Sequence, residues 1–127
     1  MRATRSRDTA PELALRSALH RRGLRFRVNR RPEADLRTTA DVVFGPARVA
    51  VYVDGCFWHA CPEHGNLPRA NREWWRAKLQ GTTERDRRND EALRARDWEV
   101  IRVWEHQDPE EVADRIYGML AASRVHR

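Results

Sequence analysis

The sequence predicts an α/β (α+β) domain, a mixed central sheet flanked by helices. Three observations lead there. Two short β-branched runs, Ala40 to Phe44 and Arg48 to Val53, bracket the turn signal Gly45-Pro46. A further run, Trp98 to Trp104 (WEVIRVW), has the same strand character. Segments with helical caps precede, separate and follow these runs, giving the order helix, strand, strand, strand, helices, strand, helix.

Thr9 to Gly23 reads as the first helix. Thr9 stands at the N-cap with Glu12 three residues on, a capping-box spacing, and Gly23 closes the end. Leu13, Leu15, Ala18 and Leu19 supply its apolar face, with Leu15 somewhat off the stripe. Leu24 to Asn29 alternates apolar and polar residues, as a strand with one wet face does. Arg30 to Thr38 is a polar loop. Of the two hairpin strands, the second is apolar enough to be buried on both faces. Asp41 lies inside the first, where a carboxylate is expensive unless it is paired, hydrogen-bonded, bound to metal or set at a solvent-facing ladder end. Pro62 to Pro68 is a loop, Asn71 to Gln80 a short helix, and Thr83 to Asp97 a longer charged helix with Ala92 and Leu93 as its buried points. Asp108 caps a final helix with Pro109 in its first turn, and Val112, Ile116 and Leu120 line the inner face.

The chain has 127 residues, enough for one domain over 1–127, with a basic arm at 1–8 and a C-terminal helix and tail at 108–127. Hydrophobic residues make up 40% and charged residues 35%, a globular but highly charged composition. No run is long and apolar enough to span a bilayer, and Met1 to Asp8 is basic with no apolar run behind it. A cytoplasmic protein without a membrane partner is expected. Its two cysteines are then expected as metal ligands or free thiols rather than as a disulfide. Net charge is +6, and ten arginines between Met1 and Arg31 face only Asp8 and Glu12. Such an arm, with Arg5 and Arg7 at its start, suits a phosphate backbone. A general preference for Arg over Lys is the plainer account, since Lys78 is the only lysine.

The chemistry concentrates between Val51 and His64, VYVDGCFWHACPEH. Cys56, Cys61 and His64 have loop spacing for a metal, and His106, past the last strand, supplies a fourth ligand. Two thiolates and two imidazoles make a closed tetrahedral site suited to structural Zn²⁺. The alternative is a buried Cys56 and an exposed Cys61 with no metal. Asp41 and Glu12 are candidate Mg²⁺ ligands, direct or through water. His59 is a candidate general base, because free histidine titrates near neutrality, though a surface histidine is the commoner fate. Phe57 and Trp58 belong either to the core or to a wedge between DNA base steps.

The ordered motifs DGCFWHACPEH, REWWRAKL, ERDRRND and WEVIRVWEH, with RATRSRDTAPE at the start, resemble the very short patch repair (Vsr) mismatch endonuclease family from about Arg2 to His106. The resemblance implies a restriction-endonuclease-like fold with a structural zinc site. It also implies Mg²⁺-dependent nicking of double-stranded DNA, 5′ of the thymine in T:G mismatches left by deamination of 5-methylcytosine. It implies a monomer, with mismatch-repair proteins as candidate partners. By position, Asp41 matches the metal-bridging aspartate, His59 the catalytic histidine, Glu12 a glutamate that holds metal-bound water, and Asp86 a supporting acid. Phe57, Trp58 and Trp75 match aromatics that enter the duplex. Cys56, Cys61 and His106 fall at zinc positions, and His64 meets the remaining one with a one-residue shift. Asp54 departs from the pattern, standing where some members carry a histidine. Two other classes compete: a restriction-like nuclease for otherwise modified DNA, and a non-catalytic zinc module that binds DNA without magnesium.

Overall fold

The computed structural model describes residues 9–55 and 70–125. Within them the order is α1 (Ala10–Arg21), β1 (Arg27–Arg30), β2 (Ala40–Phe44), β3 (Val49–Asp54), α2 (Arg72–Ala95), β4 (Glu99–Trp104) and α3 (Pro109–Val125). The four strands form one mixed sheet in the order β1-β2-β3-β4. β1 and β3 run antiparallel to β2, and β4 runs parallel to β3. The expected mixed sheet with flanking helices is therefore present.

Alternation along the strands sorts their side chains into two layers. Val42, Phe44, Val49, Val51, Ile101 and Val103 pack with Leu15 and Leu19 of α1 and Val112, Ile116 and Leu120 of α3. On the other face, Val43, Ala50, Tyr52 and Val100 pack with Leu93 of α2 and Trp98. β3 is enclosed by both layers, which is why it is apolar from Val49 to Val53. α1 and α3 are also tied together by charge. Arg22 donates to Asp114 at 2.9 Å and to Glu110 at 3.1 Å, and Arg21 pairs with Glu110.

Local signals set the helix ends. Gly23, at φ 77°, ends α1, where its N–H reaches His20 O and the Leu24 N–H reaches Leu19 O. These two bonds form a Schellman motif. Asp97 takes the same role after α2 at φ 68°, with its N–H on Arg94 O and the Trp98 N–H on Leu93 O. Asp108 caps α3 through a 3.0 Å bond from the Glu110 N–H.

Several expectations are corrected. Asn71–Gln80 and Thr83–Asp97 are one 24-residue helix, α2. Gly81 does not break it, and the Thr82 and Thr83 hydroxyls donate back to the carbonyls of Lys78 and Leu79, so the polar side chains follow the helix. Thr9 occupies the N-cap of α1 without a side-chain capping bond. Glu12 is buried on the inner stripe together with Leu15, Ala18 and Leu19. Leu13 is the residue off the stripe, half exposed.

Candidate active site

Polar side chains gather where β3 and β4 end side by side, the end of a parallel pair at which α/β sheets usually bind ligands. Asp41, near the start of antiparallel β2, comes to the same end. It is buried, and its Oδ2 accepts the Val53 N–H at 2.7 Å. That bond lowers the cost of enclosing a carboxylate in an apolar strand. A hard divalent cation needs only one or two protein carboxylates, because waters and substrate phosphate supply its remaining ligands. Asp41 fits that role. Among the described residues no group of three His, Cys, Asp or Glu side chains forms a metal cage.

Glu12 is buried in the first turn of α1, 3.6 Å from Arg16. Its neighbours Pro11 and Leu15 line a small cavity with Val53, Val103, Trp104 and Val112. This puts the first turn of α1 against the same strand ends. Asp86 lies on α2, 3.7 Å from the guanidinium of Arg102. Trp75 is half-buried in the first turns of α2 and packs edge-on against Trp74, with ring centres 4.8 Å apart. Trp74 is exposed, and Lys78 lies 5.5 Å over its ring. His106 is exposed two residues past the Asp54–Trp104 pair, at the end from which the chain continues into residues 56–69. Cys56, Phe57, Trp58, His59, Cys61 and His64 lie outside the described residues, as do Arg5 and Arg7.

The sequence reading missed Arg102. It faces α2 from the middle of β4, where its Nε and Nη2 donate to the two oxygens of Asp90 at 2.8 and 3.0 Å and Nη1 donates to Asp54 at 2.9 Å. Its guanidinium covers the Tyr52 ring at 4.2 Å. Burial alone would lower the Arg102 pKa; the bond to Asp90 and the charges of Asp54, Asp86 and Asp90 outweigh it and hold it raised. Tyr52 is pushed up by burial, against the opposing effects of its 2.7 Å hydrogen bond with Thr38 and of Arg102. The available signal was an arginine inside the apolar run WEVIRVW, with Asp86 and Asp90 one helical turn apart opposite it.

Residues 1–63 match the family described as DNA mismatch endonuclease Vsr. The Type II nicking enzyme V.NaeI of Lentzea aerocolonigenes is 41% identical over 122 residues, covering 94% of this chain and 74% of that protein. The chain belongs to the Vsr family. Type II nicking enzyme V.XorIIP of Xanthomonas oryzae is 42% identical, over 83% of this chain and 76% of its own length. DNA mismatch endonuclease Vsr of Escherichia coli is 40% identical, over 83% of this chain and 66% of its own. The Vsr family is one of DNA endonucleases, and this chain is one of them. No helix among the described residues is long and apolar enough to cross a membrane.

Proposed function

We propose that this Vsr-family chain is a Mg²⁺-dependent DNA mismatch endonuclease. It nicks one strand 5′ of the thymine in a T:G pair produced by deamination of 5-methylcytosine. The observation that carries the reading is the buried carboxylate of Asp41, fixed by the Val53 N–H at the end of the sheet in a chain of this family. The relatives named nicking enzymes support cutting of a single strand.

Asp41 would hold the magnesium, and Glu12 would orient water beside it. A magnesium ion there would polarise the phosphate and stabilise charge on the leaving oxygen. His59 takes the proton of the attacking water, and Asp86 supports the site. Phe57, Trp58 and Trp75 enter the stack beside the mismatch. Unstacking costs a few kcal/mol and least at a mispaired base, which gives preference for the mismatch. Arg5 and Arg7 contact phosphates. Cys56, Cys61, His64 and His106 would hold a structural zinc, next in sequence to His59 and the wedge residues, on a restriction-endonuclease-like scaffold. The protein acts as a cytoplasmic monomer ahead of mismatch-repair proteins.

The test is nicking of labelled duplexes containing T:G, C:G or T:A, with magnesium and with EDTA. A magnesium-dependent nick 5′ of the mismatched thymine is expected. Equal cleavage of all three duplexes would refute the mismatch specificity, and mismatch binding without cleavage would refute the enzyme.

A further inference from the structure

Arg102 occupies a position where a charged side chain needs partners, in the parallel pair β3·β4 on the face covered by α2. Its partners come from two other elements. Asp90 of α2 takes Nε and Nη2 in a bidentate bond, Asp86 of α2 lies 3.7 Å from Nη2, and Asp54 of β3 takes Nη1. The Tyr52 ring supports the guanidinium from one side. A planar fork held at one edge has no freedom left at the other, so Asp90 decides where Nη1 points. It points at the last residue of β3. The carbonyl of the same residue accepts the Glu105 N–H at 3.0 Å. Asp54 is thus held through its side chain from α2 and β4 and through its backbone from the end of β4.

We infer that Arg102, anchored by Asp90, is a positioning residue for the nicking reaction. It fixes Asp54, and with it the point where the chain leaves β3 toward His59, and it holds Asp86 in the same frame. The catalytic part of this inference rests on the proposed function; the positional part rests on the hydrogen bonds alone. If the arginine served only to fill the space under α2, an apolar pair of similar size would serve as well, since buried ion pairs are often replaced by hydrophobic residues without loss of stability.

The experiment is therefore the double substitution Asp90→Leu with Arg102→Met, compared with the intact chain and with Arg102→Lys. The double variant fills the space but removes the fork, and the lysine keeps the charge without the bidentate geometry. The double variant is expected to unfold cooperatively and to bind a T:G duplex in EDTA as the intact chain does. Its kcat falls by about 100-fold while KM stays within about threefold, the size of effect that slight misplacement of a reacting group produces. Arg102→Lys falls between the two. Amide exchange at Asp54 and Gly55 speeds up by about tenfold, while Ala50 and Val51 remain protected. Unchanged exchange at Asp54 and Gly55 would overturn the inference, and unchanged kcat would overturn its catalytic part. If the intact chain nicked no duplex, the proposed function would fail, and the exchange measurement alone would decide the positional part.

Discussion

Replacing Asp41 with Asn separates the carboxylate's part in the fold from its part in the chemistry. In the fold its Oδ2 accepts the Val53 N–H at 2.7 Å. An asparagine carboxamide can turn its oxygen to the same N–H, so the bond survives as a neutral one. The difference between a charge-assisted and a neutral hydrogen bond is about 1 kcal/mol. For 127 residues the unfolding entropy is roughly 0.27 kcal/mol per degree, so the melting temperature should fall by about 4 °C. The chemistry should lose far more. A neutral oxygen is a poor ligand for magnesium, and forfeiting about 3–4 kcal/mol of stabilisation at the phosphate slows nicking by roughly 100- to 1,000-fold. The assay pairs a melting curve with single-turnover nicking of a T:G duplex in magnesium. Nicking within about threefold of the unsubstituted chain would remove Asp41 from the mechanism. A melting temperature lowered by more than about 10 °C would mean that the charge itself holds the fold, against the reasoning from the Val53 bond.

Other expectations follow from single features. Asp97 sits in the left-handed region at φ 68°, so Asp97→Gly should raise stability by about 0.5–1 kcal/mol, or roughly 2–4 °C in a melting curve, and a lowered melting temperature would refute the strain at that position. The two 2.8 Å hydrogen bonds from Arg96 hold the Asp35 pKa at about 2 against an ordinary 3.8. A lowered carboxylate pKa stabilises the fold above its unfolded value and ceases to do so as pH falls through the folded one. The melting difference between the intact chain and Asp35→Asn should therefore be full above pH 4 and vanish near pH 2. Tyr52 has the opposite sign: its pKa is raised above 10.0 by burial, so its contribution is complete below pH 10 and is lost as pH rises further, and Tyr52→Phe should flatten the alkaline limb of the melting profile. His106→Ala should lower the zinc recovered per chain after chelator-free purification, measured by elemental analysis; an unchanged zinc content would remove His106 from the ligand set.

Much of the fold was legible because its signals act over a few residues. Gly23 ends α1 because a left-handed residue is needed just past a helix, and glycine adopts that conformation without a Cβ clash. Asp108 is a helix cap because its carboxylate reaches an N–H two residues on. The apolar run of β3 announced burial on both faces, and the alternating run Leu24 to Asn29 announced a strand, which forms later, at Arg27–Arg30, without alternating burial. Asp41 could be singled out in the same way, as a charge in a run that excludes charge.

What the local pattern could not supply was which distant groups meet. Gly81-Thr82-Thr83 reads as a break, yet the helix continues, because the threonine hydroxyls bond back to it and Leu79 and Leu93 bury residues on either side. The inner face of α1 was misjudged at Leu13 because Glu12 looked like a cap. Its burial is settled by the sheet end against which the first turn packs. The partners of Arg102 are 48 residues away in Asp54 and 12 in Asp90. The three residues lie on three different elements, so no single helical or strand period pairs them. The amino-acid sequence alone determined the elements and the chemical groups they carry, because propensity, capping and periodicity are short-range. Only the parallel register of β3 with β4, and the seating of α2 across them, decided that one guanidinium would face those carboxylates, because charge pairing depends on distances between elements.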